Sequence, residues 1–176
     1  MRRLVTILFL AAFYVGAMAQ EKGIPLLDKA AGHRVQFHYT YSLSQDGAAF
    51  KEVTDGDVIV EDNAYILEGL GLRVVSNGVT RWSVDAAAGE AVIENVEKED
   101  LFTNPALFLS SYRKYMDSIR VNAQGPDSLD VTLMLEDQNQ ARFILRDIVF
   151  AEAQGKSDFS VDEKSLSKDY VITDLR

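Results

Sequence analysis

The chain of 176 residues contains no cysteine. A thiol nucleophile, a cysteine zinc site and an iron–sulfur cluster are therefore excluded, and any core must hold by packing without disulfides. Histidine is nearly as scarce. His33 and His38 are the only two; five residues apart across an expected helix-to-strand change, they match no metal spacing. No glycine-rich phosphate loop opens a helix, because Gly69-Leu70-Gly71 falls between two strand patterns and reads as a turn. Carboxylates are plentiful but scattered at strand ends and turns, where no spacing argues for an acid–base pair. Nothing in this inventory points to an enzyme, and no metal site is expected.

Long apolar runs are also lacking, with one exception at the start. Arg2 and Arg3 precede the apolar stretch Leu4 to Val15, and Gly16-Ala17-Met18-Ala19 places small residues at both positions a signal peptidase reads. Glu21, Lys22 and Gly23 end the run short of the roughly twenty residues a spanning helix needs. Residues 1–19 are thus expected to be a signal peptide cleaved after Ala19, leaving a soluble exported domain over 20–176. Without Arg2 and Arg3 the 18 basic residues become 16 against 27 acidic ones, a net charge of -11. That balance disfavours nucleic acid and anionic membrane surfaces. Glu61, Asp62, Glu97, Glu99 and Asp100 form an acidic rim expected to be solvated.

What is abundant is period-two alternation. After a short helix over Ile24 to Ala31, Val35, Phe37, Tyr39, Tyr41 and Leu43 alternate with polar residues. Further strands are predicted over 49–53, 57–60, 64–68, 72–76, 79–85 and 90–96, with turns at Asp55-Gly56, Asp62-Asn63, Gly69-Leu70-Gly71, Asn77-Gly78 and Gly89. Asn77-Gly78 suits a type I′ hairpin turn. Asn104 and Pro105 start a second helix, carried by Phe108, Leu109, Tyr112, Tyr115 and Met116 to about Asp117. Strands follow over 119–123, 129–136, 141–151, 159–162 and 170–175, and residues 154–169 fit a loop as well as a strand. The expectation is one mainly β, α+β domain: an antiparallel meander with two helices.

Apolar residues stand two apart on successive strands: Val58 and Val60, Tyr65 and Leu67, Leu72 and Val74, Trp82 and Val84. Together they can form one apolar surface, with Trp82 as its leading member. Phe108, Leu109 and Tyr112 give the second helix an inner face able to close over it as a lid. Tyr39 and Tyr41 could join the lining but suit the core better. A sheet this long with two short helices leaves apolar surface unfilled, which points to a binder.

The order of these elements resembles the periplasmic outer-membrane lipoprotein carrier family, the LolA-like proteins. The resemblance runs through Leu27-Asp28-Lys29-Ala30-Ala31, Gly56-Asp57-Val58-Ile59-Val60, Tyr65-Ile66-Leu67, the hairpin Val75 to Asp85 and the helix start Asn104 to Leu109. The closing Val171 to Arg176 resembles chain ends of relatives from the Bacteroidetes. The resemblance implies a half-open barrel of about eleven strands with a helical lid, working as a monomer without a cofactor. It also implies a cargo of lipoprotein acyl chains or other lipid, an inner-membrane release complex as donor and an outer-membrane acceptor. One departure stands out. Where the family carries an Arg-Pro pair after the Gly-Asp-x-x-Val strand, this chain has Asp62 and Asn63. A periplasmic interaction or sensor module on the same scaffold is the alternative, and a lipid or glycan hydrolase a third.

Overall fold

The computed structural model describes residues 23–96 and 104–176. The expected cleavage after Ala19 and the rim residues Glu97, Glu99 and Asp100 lie outside the described residues. In chain order the elements are α1 (Pro25–Ala30), β1 (His33–Ser44), β2 (Lys51–Glu61), β3 (Ala64–Gly69), β4 (Leu72–Ser76), β5 (Thr80–Asp85) and β6 (Glu90–Asn95), followed by α2 (Pro105–Ser111), β7 (Ile119–Gln124), β8 (Leu129–Met134), β9 (Gln140–Glu152), α3 (Glu163–Asp169) and β10 (Val171–Asp174). Among the described residues all ten strands join one sheet in the order β10-β6-β5-β4-β3-β2-β1-β9-β8-β7. With β7 and β10 at its two ends the sheet is open, and the fold is a mainly β half-open barrel of ten strands. Every pairing is antiparallel except β10 on β6. That parallel strand is possible because residues 153–170 form the crossover a parallel return requires. Among the described residues no helix is long and apolar enough to cross a membrane.

The strands expected over 49–53 and 57–60 are a single strand, β2, which runs straight through Asp55-Gly56. Gly56 is there for proximity and not for a turn: a Cβ on it would lie 1.7 Å from the Glu68 carbonyl oxygen on β3. The Gly69–Gly71 turn forms as expected, with positive φ at Leu70 (54°) and Gly71 (75°). Asn77-Gly78 turns the chain differently from a type I′ loop. Only Gly78 has positive φ, while the Asn77 side-chain oxygen accepts from the Val79 and Thr80 amides at 2.9 and 2.8 Å.

Asn104 caps α2 by accepting from the Leu107 amide at 3.0 Å. The helix stops at Ser111, however, and continues as a 3₁₀ turn over Tyr112–Ser118. Ser110 and Ser111 interrupt the run of strong helix formers, and the Ser110 hydroxyl bonds back to the Leu107 carbonyl. A third helix, α3, was not expected, and the strand predicted over 159–162 is absent. Asp162 is the missed signal: its carboxylate accepts from the Lys164 amide and caps α3.

Two apolar layers lie on opposite faces of the sheet. The larger one packs Val35, Phe37, Val58, Val60, Tyr65, Val131 and Leu145 against α1 and α2. On the other face Ile66, Val75, Trp82 and Ile93 are covered by Phe159, Val161 and Ile172. The segment between β9 and β10 is therefore a strap across the back of β2 to β6. Its anchor is Glu61, whose carboxylate accepts from the Gln154 and Gly155 amides at 3.0 and 2.7 Å with the Arg34 guanidinium 3.8 Å away. Glu61 is 2% exposed. It is not part of a solvated rim.

Candidate functional site

The helix-covered face is not filled along its whole length. Beyond α2, where the sheet continues through β3, β4 and β5, a hollow of about 420 Å³ remains. Leu67, Leu72 and Val74 form its floor, Tyr39, Tyr41 and Phe143 form one wall, and Val53 and Leu70 stand at its rim. Leu70 is 68% exposed and holds φ 54° at the tip of the β3–β4 turn. A bulky apolar residue in that conformation is uncommon. Thr54, Arg81 and Ser83 supply the polar groups of the lining. The Arg81 Nε donates to Glu94 at 3.0 Å. Burial pushes the Tyr39 and Tyr41 phenols above their ordinary pKa, so both are neutral donors. Among the described residues no histidine or carboxylate lines this hollow; their side chains can hold an apolar ligand and offer no proton-transfer pair.

The eleven residues singled out from the sequence divide three ways. Leu67, Leu72 and Val74 line the hollow. Val58, Val60, Tyr65, Phe108, Leu109 and Tyr112 share its face but are buried between sheet and helices, with Phe108, Leu109 and Tyr112 on the inner side of the lid. Trp82 and Val84 are misplaced. In the β4–β5 register Val75 opposes Trp82 and Val74 opposes Ser83, so Arg81 and Ser83 face the hollow. Trp82, 5% exposed, points into the back layer beneath the strap.

The signal for this was present. Four residues, 77–80, separate the last paired residue of β4 from Arg81. An even-numbered loop makes an even-numbered residue on one strand share a face with an odd-numbered one on the next. The same parity carries the surface correctly from Val58 to Leu67 to Val74 and then to Ser83. Phe143 was missed because β9 enters the sheet beside β1, and local spacing says nothing about that neighbour.

α2 is tied to α1 by a hydrogen-bonded latch at Tyr112. The Tyr112 hydroxyl accepts from the Ile24 amide at 3.1 Å and donates to Asp28, to which Arg113 also donates at 2.7 Å. The Tyr112 hydrogen bond, with help from Arg113, holds the Asp28 carboxyl below its ordinary pKa against the opposing effect of burial. Burial, reinforced by Asp28, raises that of Tyr112. The signs follow. The Asp28 contribution is present above its unfolded pKa and disappears as pH falls through the lowered one. The Tyr112 contribution is present below its unfolded pKa and disappears as pH rises through the raised one. Tyr112→Phe leaves the buried Ile24 N–H without its partner and is expected to cost about 1–2 kcal/mol, read as a lower urea midpoint. It should also flatten the acid limb of stability; an unchanged midpoint would mean the latch contributes nothing.

Beside this latch lies a wider concavity of about 680 Å³, lined by Leu27, Val35 and Val60 together with Asp28, Asp62 and Arg113. Asp62 and Asn63, at the β2–β3 turn, border it. Asn63 accepts from the Lys156 ammonium, which ties that turn to the strap. Among the described residues no group of three or more His, Asp or Glu side chains could share a metal ion.

No protein-family model matches this chain, and no curated protein sequence matches it. Among solved structures, the chain is similar to a LolA superfamily protein from Nitrosomonas europaea, with a TM-score of 0.46 and 9% sequence identity over 79% of this chain and 97% of that one.

Proposed function

We propose that this protein is a periplasmic carrier that shields the acyl chains of lipoproteins, or of related lipids, and delivers them toward the outer membrane. In this reading it accepts cargo from an inner-membrane release complex, passes it to an outer-membrane acceptor, and catalyses no reaction. The observation that carries the proposal is the hollow of about 420 Å³ on the helix-covered face, apolar in its floor and open at a rim of Val53 and Leu70. Its volume falls within the range of small-molecule sites, roughly 300–1,000 Å³. The physical need is large: each acyl methylene exposed to water costs about 0.8 kcal/mol, so a sixteen-carbon chain costs on the order of 12 kcal/mol. The latch between Tyr112 and Asp28 supplies a contact that can break when α2 lifts.

A second reading, an interaction module without lipid cargo, draws on Asp62 and Asn63. They stand where the resembled family has Arg-Pro, and Asn63 is engaged by the strap.

Leu67 tests the proposal. It is half-buried and faces the hollow, so Leu67→Glu is expected to leave the fold intact while weakening a hydrophobic fluorescent probe by at least about tenfold, because a carboxylate cannot be desolvated beside the ligand. Unchanged probe binding would remove the hollow as the site. Native mass spectrometry of protein from its host separates the readings: co-purified lipid or lipoprotein supports the carrier, and an empty chain with a protein partner supports the module.

A further inference from the structure

The hollow does not end at Phe143. On the far side of that ring lies a smaller space of about 50 Å³, bounded by Val58, Pro105 and Phe108 beneath the start of α2. Tyr39, Leu67 and Phe143 border both spaces. Phe143 is half-buried on β9 and stacks on two rings, with its centroid 4.9 Å from Tyr41 and 5.8 Å from Phe108, both at 26°. Tyr41 belongs to the sheet and Phe108 to the lid helix. The ring is thus a partition between an outer chamber open at Leu70 and an inner one roofed by α2.

Resting on the carrier reading, we infer that Phe143 sets the length of acyl chain that the closed protein accepts. A chain entering past Val53 and Leu70 runs along Leu72, Val74 and Leu67 until its tip meets the Phe143 ring. A longer chain must swing that ring aside. Because the ring stacks on Phe108, its movement disturbs α2 and couples long cargo to lid opening. A chain that stops short leaves the Tyr41–Phe143–Phe108 stack undisturbed.

The test is competition of straight-chain fatty acids of increasing length against a hydrophobic fluorescent probe, on wild type, Phe143→Ala and Phe143→Trp. Wild-type affinity is expected to rise by about fourfold for each methylene buried and to level off where the tip reaches Phe143. Phe143→Ala should carry the rise to longer chains and bind the longest of them about tenfold more tightly than wild type. Phe143→Trp should level off at a shorter chain, which keeps the inference testable if the alanine variant folds poorly. The same levelling length in wild type and in the folded variants would overturn the role of Phe143 while leaving the carrier reading standing. Failure of wild type to bind any chain would overturn the carrier reading and this inference with it.

Discussion

Glu61→Ala is expected to destabilise the protein by about 2–4 kcal/mol, since it removes a buried acceptor from two backbone amides. The Gln154 and Gly155 N–H groups point at its two carboxylate oxygens, and alanine offers them nothing in return. Arg34 keeps Asp158 at 3.0 Å and its place over the Phe159 ring at 5.2 Å, so the strap is weakened without being released. Glu61→Gln retains one acceptor but turns an amide N–H toward the other backbone donor, and about half of the loss is expected. Urea unfolding reads the total. Hydrogen exchange at Gln154 and Gly155 should accelerate more than exchange in β8. A loss below about 1 kcal/mol would show that the strap is held elsewhere.

Trp82→Ala is expected to cost a further about 3–5 kcal/mol in its own right, from the cavity left in the back layer. The indole N–H also donates to Glu163 at 2.9 Å, and Arg176 grips the same carboxylate at 3.0 and 3.1 Å. Those bonds, the one from Trp82 first and then Arg176, hold Glu163 below its ordinary pKa. The Glu163 contribution is therefore present above its unfolded pKa and lost as pH falls through the lowered one. Trp82→Phe keeps most of the packing and removes the N–H, so the Glu163 titration followed by NMR should move back up toward the usual carboxylate range. Both Trp82 variants should bind a hydrophobic probe as wild type does, because Trp82 lies on the face away from the hollow. Loss of binding in a folded Trp82 variant would contradict the two-face arrangement.

Trp82 shows how a correct reading of local pattern can go wrong by one step. The alternation from Thr80 to Asp85 was plain, and β5 is where it was expected. What the alternation cannot say is which of its two faces the sheet turns toward α2. The even-numbered loop over 77–80 decides that face, and Arg81 and Ser83 take it. Phe143 had no local signal at all. Its neighbours Tyr41 and Phe108 lie far away in the chain, on β1 and α2; the pairing of β9 with β1 sets Tyr41 opposite it, and Phe108 reaches it from α2.

Glu61 and Gly56 carry the same lesson for the fold. Each belongs to a class that sequence reading assigns by habit, an acidic residue near a turn to solvent and Asp-Gly to a turn. Each was claimed by a partner from elsewhere: a strap about ninety residues downstream in one case, the β3 backbone in the other. The strap itself, where residues 154–169 fit a loop as well as a strand, was the least legible part of the chain. Phe159, the residue that seals it, shares a mostly polar stretch with Val161.

Outside the strap, the type of most elements, their order along the chain and the start of α2 were encoded locally. They depend on side-chain periodicity, on turn residues and on the Asn104 cap, each an interaction between residues a few positions apart. Which face is hollow, which is strapped, and which carboxylate is buried depended on contacts between distant segments, and those exist only once the sheet has formed. The hollow follows from that division. Among the described residues the inner face of β3 to β5 stays partly uncovered, while Phe159 and Val161 pack on the other side.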